Sequence, residues 1–453
     1  MRWLLLVLFG LIIALRSSAQ SFRLMRYDED YSYLKDSTRN FWEKLKVVPL
    51  DRRGTYFLSF GGEVRQEFDA FHNEDWGKLH LGQDNFYLQR YDLHADFHAG
   101  SRLRVFAQLR SAIENGRPTG PRPIDEDKLN VQNLFVDVKL LRRTADSLIL
   151  RAGRQELNYG AGRLISVREG PNVRLTFTGA KFIYAGRNVS IDAFAMENDQ
   201  LRPGVFDNDN SSKLNFWGVY STLKAGLASL DLYYLGNKED TVVYDAGAGR
   251  EVRHTFGGRL WNSVGALTYD FEGAYQTGSF NGGRIRAWTA STDIAYHFFQ
   301  LPLKPVIGMR HDYISGDAHK GDNALQTFNP LYPKGGYFGF DPQVGPVNLI
   351  DVHPYGTLTP APKFLVTWDV VFNWRYSLDD GVYRPSGAFN LAGQNSTRRY
   401  IGTDYLAKII YTHNAFFSID FGIQYFRTGP FIESEIPQAK NAFLTNTRIS
   451  FKF

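Results

Sequence analysis

The chain has no cysteine in 453 residues, so disulfides, thiolate metal sites and lipid attachment through a cysteine are excluded. Net charge is only +5, too slight to argue for nucleic acid. After the first fifteen residues no apolar run is long enough for a membrane helix. Metal-ligand spacing is also lacking. His94 and His98 are four residues apart, which on a strand means one face but about 13 Å of separation, too far for one ion. "SGD" (315–317) with Asp322 does not match the spacing of an EF-hand loop. Ser418 and Ser450 fall on the polar face of their strands, and no GxSxG-like context surrounds an exposed serine. No catalytic, cofactor-binding or metal-binding residue is therefore assigned, and no enzymatic activity is expected.

What is present begins at the N-terminus. "MRWLLLVLFGLIIALRSSAQ" has one early cation, Arg2, then an apolar run from Trp3 to Leu15, then small residues. The run has the length of a signal-peptide core rather than of a membrane span, and "SSA" before Gln20 suits cleavage. The expected signal peptide is 1–19; an uncleaved anchor is the other reading. Mean hydropathy is −0.32, yet 15% of residues are aromatic and glycine stands at 42, a balance that suits many strands and turns.

The alternation confirms strands. In "NFYLQRYDLHADFHAG", Tyr87, Tyr91, Leu93, Ala95 and Phe97 face one way, and Arg90, Asp92, His94, Asp96 and His98 the other. "SRLRVFAQLR" sets Leu103, Val105, Ala107 and Leu109 against Arg102, Arg104, Gln108 and Arg110. "KFLVTWDVVFNWRYS" sets Phe364, Val366, Trp368, Val370, Phe372, Trp374 and Tyr376 against Lys363, Thr367, Asp369, Asn373 and Arg375. The last residues, "NAFLTNTRISFKF", put Phe443, Thr445, Thr447, Ile449, Phe451 and Phe453 opposite Leu444, Asn446, Arg448, Ser450 and Lys452. Similar runs recur along the chain, including 172–184, 255–278 and 403–412, for about sixteen to eighteen strands.

A soluble sandwich buries the apolar face of such strands, whereas a membrane barrel turns it to lipid and keeps the polar face around a lumen. Here the polar face mixes Arg with Asp, His and Asn, as a wet interior of paired charges would. Aromatics stand near strand ends, as interfacial girdles require. With the signal peptide, these features predict an all-β fold: a transmembrane antiparallel β-barrel of about 16–18 strands, 18 favoured, in the outer membrane of a Gram-negative bacterium. Its surroundings there are outer-membrane lipid and lipopolysaccharide. The expected organisation is 1–19 signal peptide, 20–54 N-terminal periplasmic arm or plug, and 55–453 barrel, with a long loop at 315–362. Asp36 or Ser37 could cap a short helix in the arm. The long loop carries Phe328, Leu331, Tyr332, Tyr337 and Phe340 and is expected to be ordered, either over or in the lumen or as a surface cap.

Candidate lumen residues follow from strand parity and from one arginine-rich block. Parity gives Arg90, Arg102, Arg104, Arg110, Lys363, Arg375 and Arg448. "GRQELNYGAGRLISVREGPNVRLTF" adds Arg151, Arg154, Arg163, Arg168 and Arg174. A guanidinium is always charged and can grip a carboxylate through two hydrogen bonds. Several on one wall would draw in polyanions. Equally, they could pair with lumen acids such as Glu63, Glu67, Asp92, Asp96 and Asp137.

"LRAGRQELNYGAGRLISVREGPNVRLTFTGAKF" (150–182), "TFNPLYPKGGYFG" (327–339) with "NLIDVHP" (348–354), and the early "FRLMRYDEDYSYLKD" with "LSFGGEVRQEFDAF" resemble the alginate export family over nearly the whole mature chain. The resemblance implies an eighteen-stranded monomeric barrel and passage of an anionic, alginate-like oligo- or polysaccharide through an Arg- and Lys-lined lumen. It does not transfer the substrate. A general diffusion porin for small solutes, or a surface adhesin or scaffold anchored by a barrel, are the other readings. The terminal Phe453 resembles the C-terminal signature read by the barrel assembly machinery.

Overall fold

The computed structural model describes residues 22–34, 41–80, 82–143, 146–393 and 395–453. The expected signal segment 1–19 and the helix cap at Asp36 or Ser37 lie outside them. Eighteen strands close into one antiparallel barrel. They are β1 Tyr56–His72, β2 Gln83–Ala99, β3 Leu103–Asn115, β4 Asp127–Arg142, β5 Ser147–Gln155, β6 Phe177–Ala185, β7 Val189–Gln200, β8 Asp209–Ala225 and β9 Ala228–Tyr244. They continue as β10 Gly247–Val264, β11 Leu267–Phe280, β12 Gly283–His297, β13 Val306–Ile314, β14 Leu349–Ala361, β15 Phe364–Arg375, β16 Tyr400–Thr412, β17 Phe417–Thr428 and β18 Ala442–Lys452. Each pairs with its neighbours in sequence. β1 pairs with β18 from Glu63 opposite Lys452 to His72 opposite Phe443, so no edge is left open. At the seam, Phe453 and Gly62 exchange backbone hydrogen bonds of 3.0 Å in both directions.

The two faces are inverted relative to a soluble protein. On β2, Leu93 is 55% exposed and Tyr91 39%, while Arg90 is fully buried. Apolar side chains stand outward where lipid covers them, and the charged ones are packed inside. Close approaches shape the wall. A Cβ on Gly356 would fall 2.6 Å from Trp368 Nε1 on the neighbouring strand, so glycine leaves room for the indole to lie flat.

Connections at one end are two to eight residues long; at the other stand the long loops 156–176, 315–348 and 376–399. Short turns face the periplasm and long loops the outside. The loops do not stay outside. Leu157, Leu164 and Ile165 of the first, Phe328, Leu331, Tyr332 and Phe338 of the second, and Tyr383 of the third join wall residues such as Phe177, Phe216 and Tyr233 in one apolar core. The main packed core of the molecule therefore fills the outer half of the lumen.

Three elements differ from the sequence reading. The run 255–278 is two strands, split at the tight turn through Gly265. The strand expected from 172 begins at Phe177, because 172–176 is drawn into the lumen. The loop expected over 315–362 ends at 348, and Leu349–Ala361 is a strand. Pro354 and Pro360 read as loop signals, but the ladder accommodates them. The pairing of β14 with β15 passes from Val352 directly to Tyr355, skipping Pro354, which has no N–H to give.

At the periplasmic end the segment 22–34 enters the mouth. Tyr27 packs edge-on against Phe106 and Phe135, at 5.8 and 5.2 Å, and its hydroxyl donates to Glu156 O at 2.6 Å. The short helix α1, Phe41–Lys46, then sets Trp42 against Phe451 and Phe453 at the rim. Arg26 closes this corner by donating to Gly62 O and Phe453 O.

Candidate pore constriction

Two loops build the constriction. The 156–176 loop is pinned to β2 and to the connection before β4 by Asn172, whose amide donates to Gln89 O at 3.0 Å and Asp125 O at 3.0 Å. Its middle runs beside the 315–348 loop. Tyr332 N donates to Leu164 O, Ser166 N to Tyr332 O, and Lys334 N to Gly162 O, each at 2.9 Å. The 315–348 loop crosses the lumen. It is held by Gln276 Nε2 donating to Asn329 O at 2.7 Å and by Phe340 N donating to Gln424 Oε1 at 2.8 Å. Asp341 meets Arg122 at 2.8 Å.

Most candidate arginines are neutralised. Arg110 grips Asp92 through two bonds, 2.6 and 2.7 Å, and Arg151 grips Asp137 through two, 2.7 and 2.9 Å. Arg104 meets Asp96 at 2.8 Å, and Arg448 meets Glu67 at 2.8 Å. Arg163 lies 3.0 Å from Asp270 and 3.2 Å from Glu272. Arg90 and Arg174 converge on Glu169, a loop carboxylate, with Arg65 joining at 3.6 Å. Burial opposes the charge on Glu169, but Arg174, Arg90 and Arg65 outweigh it and hold its carboxyl well below the usual range.

Four candidates lie outside this set of lumen ion pairs. Lys363 is exposed in the periplasmic turn between β14 and β15, and Arg102, exposed in the turn after β2, lines the cavity at the inner mouth. Both lie at strand ends, where parity no longer fixes a face. Arg154 is three residues beyond Arg151 on a regularly paired strand, so it stands on the opposite face, 3.0 Å from Asp199. Arg375 is fully buried and donates to five backbone oxygens, those of Leu378, Asp380, Gly393, Ser396 and Arg398, so it organises the 376–399 loop.

Arg168 is different. Its φ is +55°, and among the described residues its guanidinium has no acidic group or acceptor within bonding distance. Burial lowers its pKa to about 10, which leaves it charged at neutral pH. Two lysines missed in the sequence share this freedom: Lys334 on the crossing loop and Lys408 on β16, whose ammonium lies 4.4 Å above the Phe340 ring. Lys408 was findable by parity, since Tyr405 and Ile409 face outward beside it. Lys334 was not, because a loop carries no face. Glu169 was hidden for the same reason. Opposite, Arg310 joins Asp293 at 3.0 Å and Asp369 at 3.4 Å, part-exposed to the lumen. At the inner mouth a cavity of about 590 Å³ is lined by Tyr27, Asp28, Arg104, Asp137, Lys139 and Arg142.

The alginate export family model matches residues 56–445. The chain belongs to the alginate export family. Solved porins share its fold at low identity. OccAB1 of Acinetobacter baumannii is 13% identical, with 91% of this chain and 99% of that chain covered at a TM-score of 0.60. A BenF-like porin from Pseudomonas fluorescens Pf-5 is 10% identical over 87% of this chain and 98% of that one, at 0.58. OccK2 (OpdF) of Pseudomonas aeruginosa, solved in complex with glucuronate, is 12% identical over 87% and 96%, at 0.56. No curated protein matches the sequence. Family and fold together make the chain a pore of the Gram-negative outer membrane, a transport barrel rather than an enzyme.

Proposed function

We propose that this pore passes an anionic, uronate-type sugar, as a monomer, oligomer or extended alginate-like chain. The supporting observation is the charge left over at the constriction. Where most arginines are paired with carboxylates, Arg168, Lys334 and Lys408 form no salt bridge among the described residues, although the carboxylates of Asp420, Glu67 and Asp69 act on Lys408 at longer range. Unpaired cations in a low-dielectric passage focus a positive potential out of proportion to their number. Each contact stays weak enough to release, as passage requires. The glucuronate held by OccK2 is a sugar of the same chemistry in a barrel of the same fold. On this reading, the segment 22–34 narrows the inner mouth as a plug, and polar side chains there meet the sugar before or after the constriction.

The inserted loops favour a second reading. They fill much of the outer lumen, which suits small solutes better than a polymer, and makes the pore a porin for small molecules. Single-channel conductance in planar bilayers separates the two. The expected result is concentration-dependent block by oligouronates and none by neutral oligosaccharides of equal length. Equal behaviour of the two sugars would favour the small-solute porin.

A further inference from the structure

The outer wall carries a second charged feature that the pore does not use. Across β9 to β12 an aromatic row faces outward: Tyr234 is opposite Phe256, Phe256 opposite Tyr275, and Tyr275 opposite Trp288. Two residues nearer the outer rim, His254 is opposite Thr277, and Thr277 opposite Arg286. Two further on, Lys238 is opposite Val252, Val252 opposite Ser279, and Ser279 opposite Arg284. Arg250 stands beyond that row. The inward neighbours Arg253, Ile285 and Ala287 are buried, which fixes the outward face of these positions.

Three of these four cations are free among the described residues. Arg284 and Arg286 are exposed, and among the described residues neither they nor Lys238 has a side-chain acceptor within bonding distance. Arg250 has only a loose contact with Asp240 at 3.9 Å. His254 lies 2.9 Å from the Tyr234 hydroxyl. An outward aromatic row marks the membrane interface, so cations one and two rows above it sit at headgroup depth. Rows are about 7 Å apart and strands about 4.8 Å, so Arg284 and Arg286 on β12 lie roughly 12–17 Å from Arg250 and Lys238 on β10 and β9.

We propose that this patch binds a phosphorylated glycolipid of the outer leaflet. One phosphate is gripped by Arg284 and Arg286, a second by Lys238 and Arg250, and the acyl chains lie over the aromatic row. Guanidinium groups bind phosphate through paired hydrogen bonds, and lysine adds a point charge. The aromatic floor selects a lipid over a free anion, because only a lipid gains apolar contact below the charges.

The test uses the full barrel in phosphatidylcholine vesicles containing either bisphosphorylated lipid A or its dephosphorylated form with the same chains. After extraction in mild detergent, bound glycolipid is counted by native mass spectrometry. Wild type is expected to retain the phosphorylated form at least tenfold over the other. The triple variant Lys238→Gln, Arg284→Gln, Arg286→Gln, with heat-modifiable migration intact, should fall to the dephosphorylated level. Excess inorganic phosphate should leave the lipid in place. Equal retention of both forms by wild type, full retention by the folded variant, or displacement by inorganic phosphate would each overturn the site. If the variant does not fold, the wild-type comparison and the phosphate competition decide.

Discussion

Glu169 is the residue on which the arginine wall turns. Its single carboxylate is shared by Arg65, Arg90 and Arg174 and stays partly exposed to the lumen. Each arginine also has other acceptors: Arg90 donates to Pro171 O and Asn172 O, Arg174 donates to Leu24 O and lies 3.4 Å from Glu156, and Arg65 donates to Glu169 O. Glu169→Gln therefore keeps the loop in place and adds one net positive charge to the passage. The expected outcome is a higher anion-to-cation permeability ratio, read as a shifted reversal potential across a salt gradient. An unchanged ratio would mean the ions do not pass this loop. The arginines themselves were visible in the sequence, and so were several partners. Asp92, Asp96, Asp137 and Glu67 pair with Arg110, Arg104, Arg151 and Arg448 as cross-strand parity allows. Glu169 was not visible, because its role depends on a loop folding inward, and side-chain alternation says nothing about where a loop goes.

At the scale of elements, the strands were legible because a lipid-facing barrel writes a period of two into every strand. Strand β15 shows the consequence. Trp368 faces lipid and Asp369, one residue on, lies 2.8 Å from His353 Nε2 and 3.4 Å from Arg310. Trp368→Arg should destabilise the barrel by about 2–4 kcal/mol near the middle of the membrane, measured by urea-dependent folding into vesicles. Equal stability of variant and wild type would mean the register is off by one. Strand β14 was illegible because two prolines and a glycine imitate a loop, and only pairing with β13 and β15 reveals it. The loop before it holds a titratable group. Burial and the nearby charges of Asp380 and Asp322 push the Asp317 carboxyl up to about 6. A raised carboxyl stabilises the fold only while protonated, so its contribution is complete below about pH 4 and lost as pH rises through 6. Hydrogen exchange over 315–326, corrected for intrinsic rates, should be slower at pH 5 than at pH 7.5. Asp317→Asn should abolish that difference and protect the loop by about 1–3 kcal/mol at pH 7.5. A persisting pH difference in the variant would assign it to another group.

For the whole molecule, the barrel and its membrane were recoverable from pattern, and the constriction was not. A closed sheet is dictated by local alternation and by the need to pair every backbone group in lipid. The constriction instead depends on residues far apart in sequence, Arg168 and Lys334 on loops that pack as a core and Lys408 on the β16 wall against which Phe340 of the second loop lies. On the proposed reading, anion selectivity rests on these three charges among many paired ones. The most direct measurement is the reversal potential of wild type and of the triple variant Arg168→Gln, Lys334→Gln, Lys408→Gln across a KCl gradient, in bilayers holding heat-modifiable, folded barrels. Wild type should be anion-selective, more so at low salt, since screening reaches about 10 Å at 0.1 M, and the variant should lose most of that selectivity. A variant that matches wild type, or a wild type that prefers cations, would contradict the assignment of these three residues as the selecting charges.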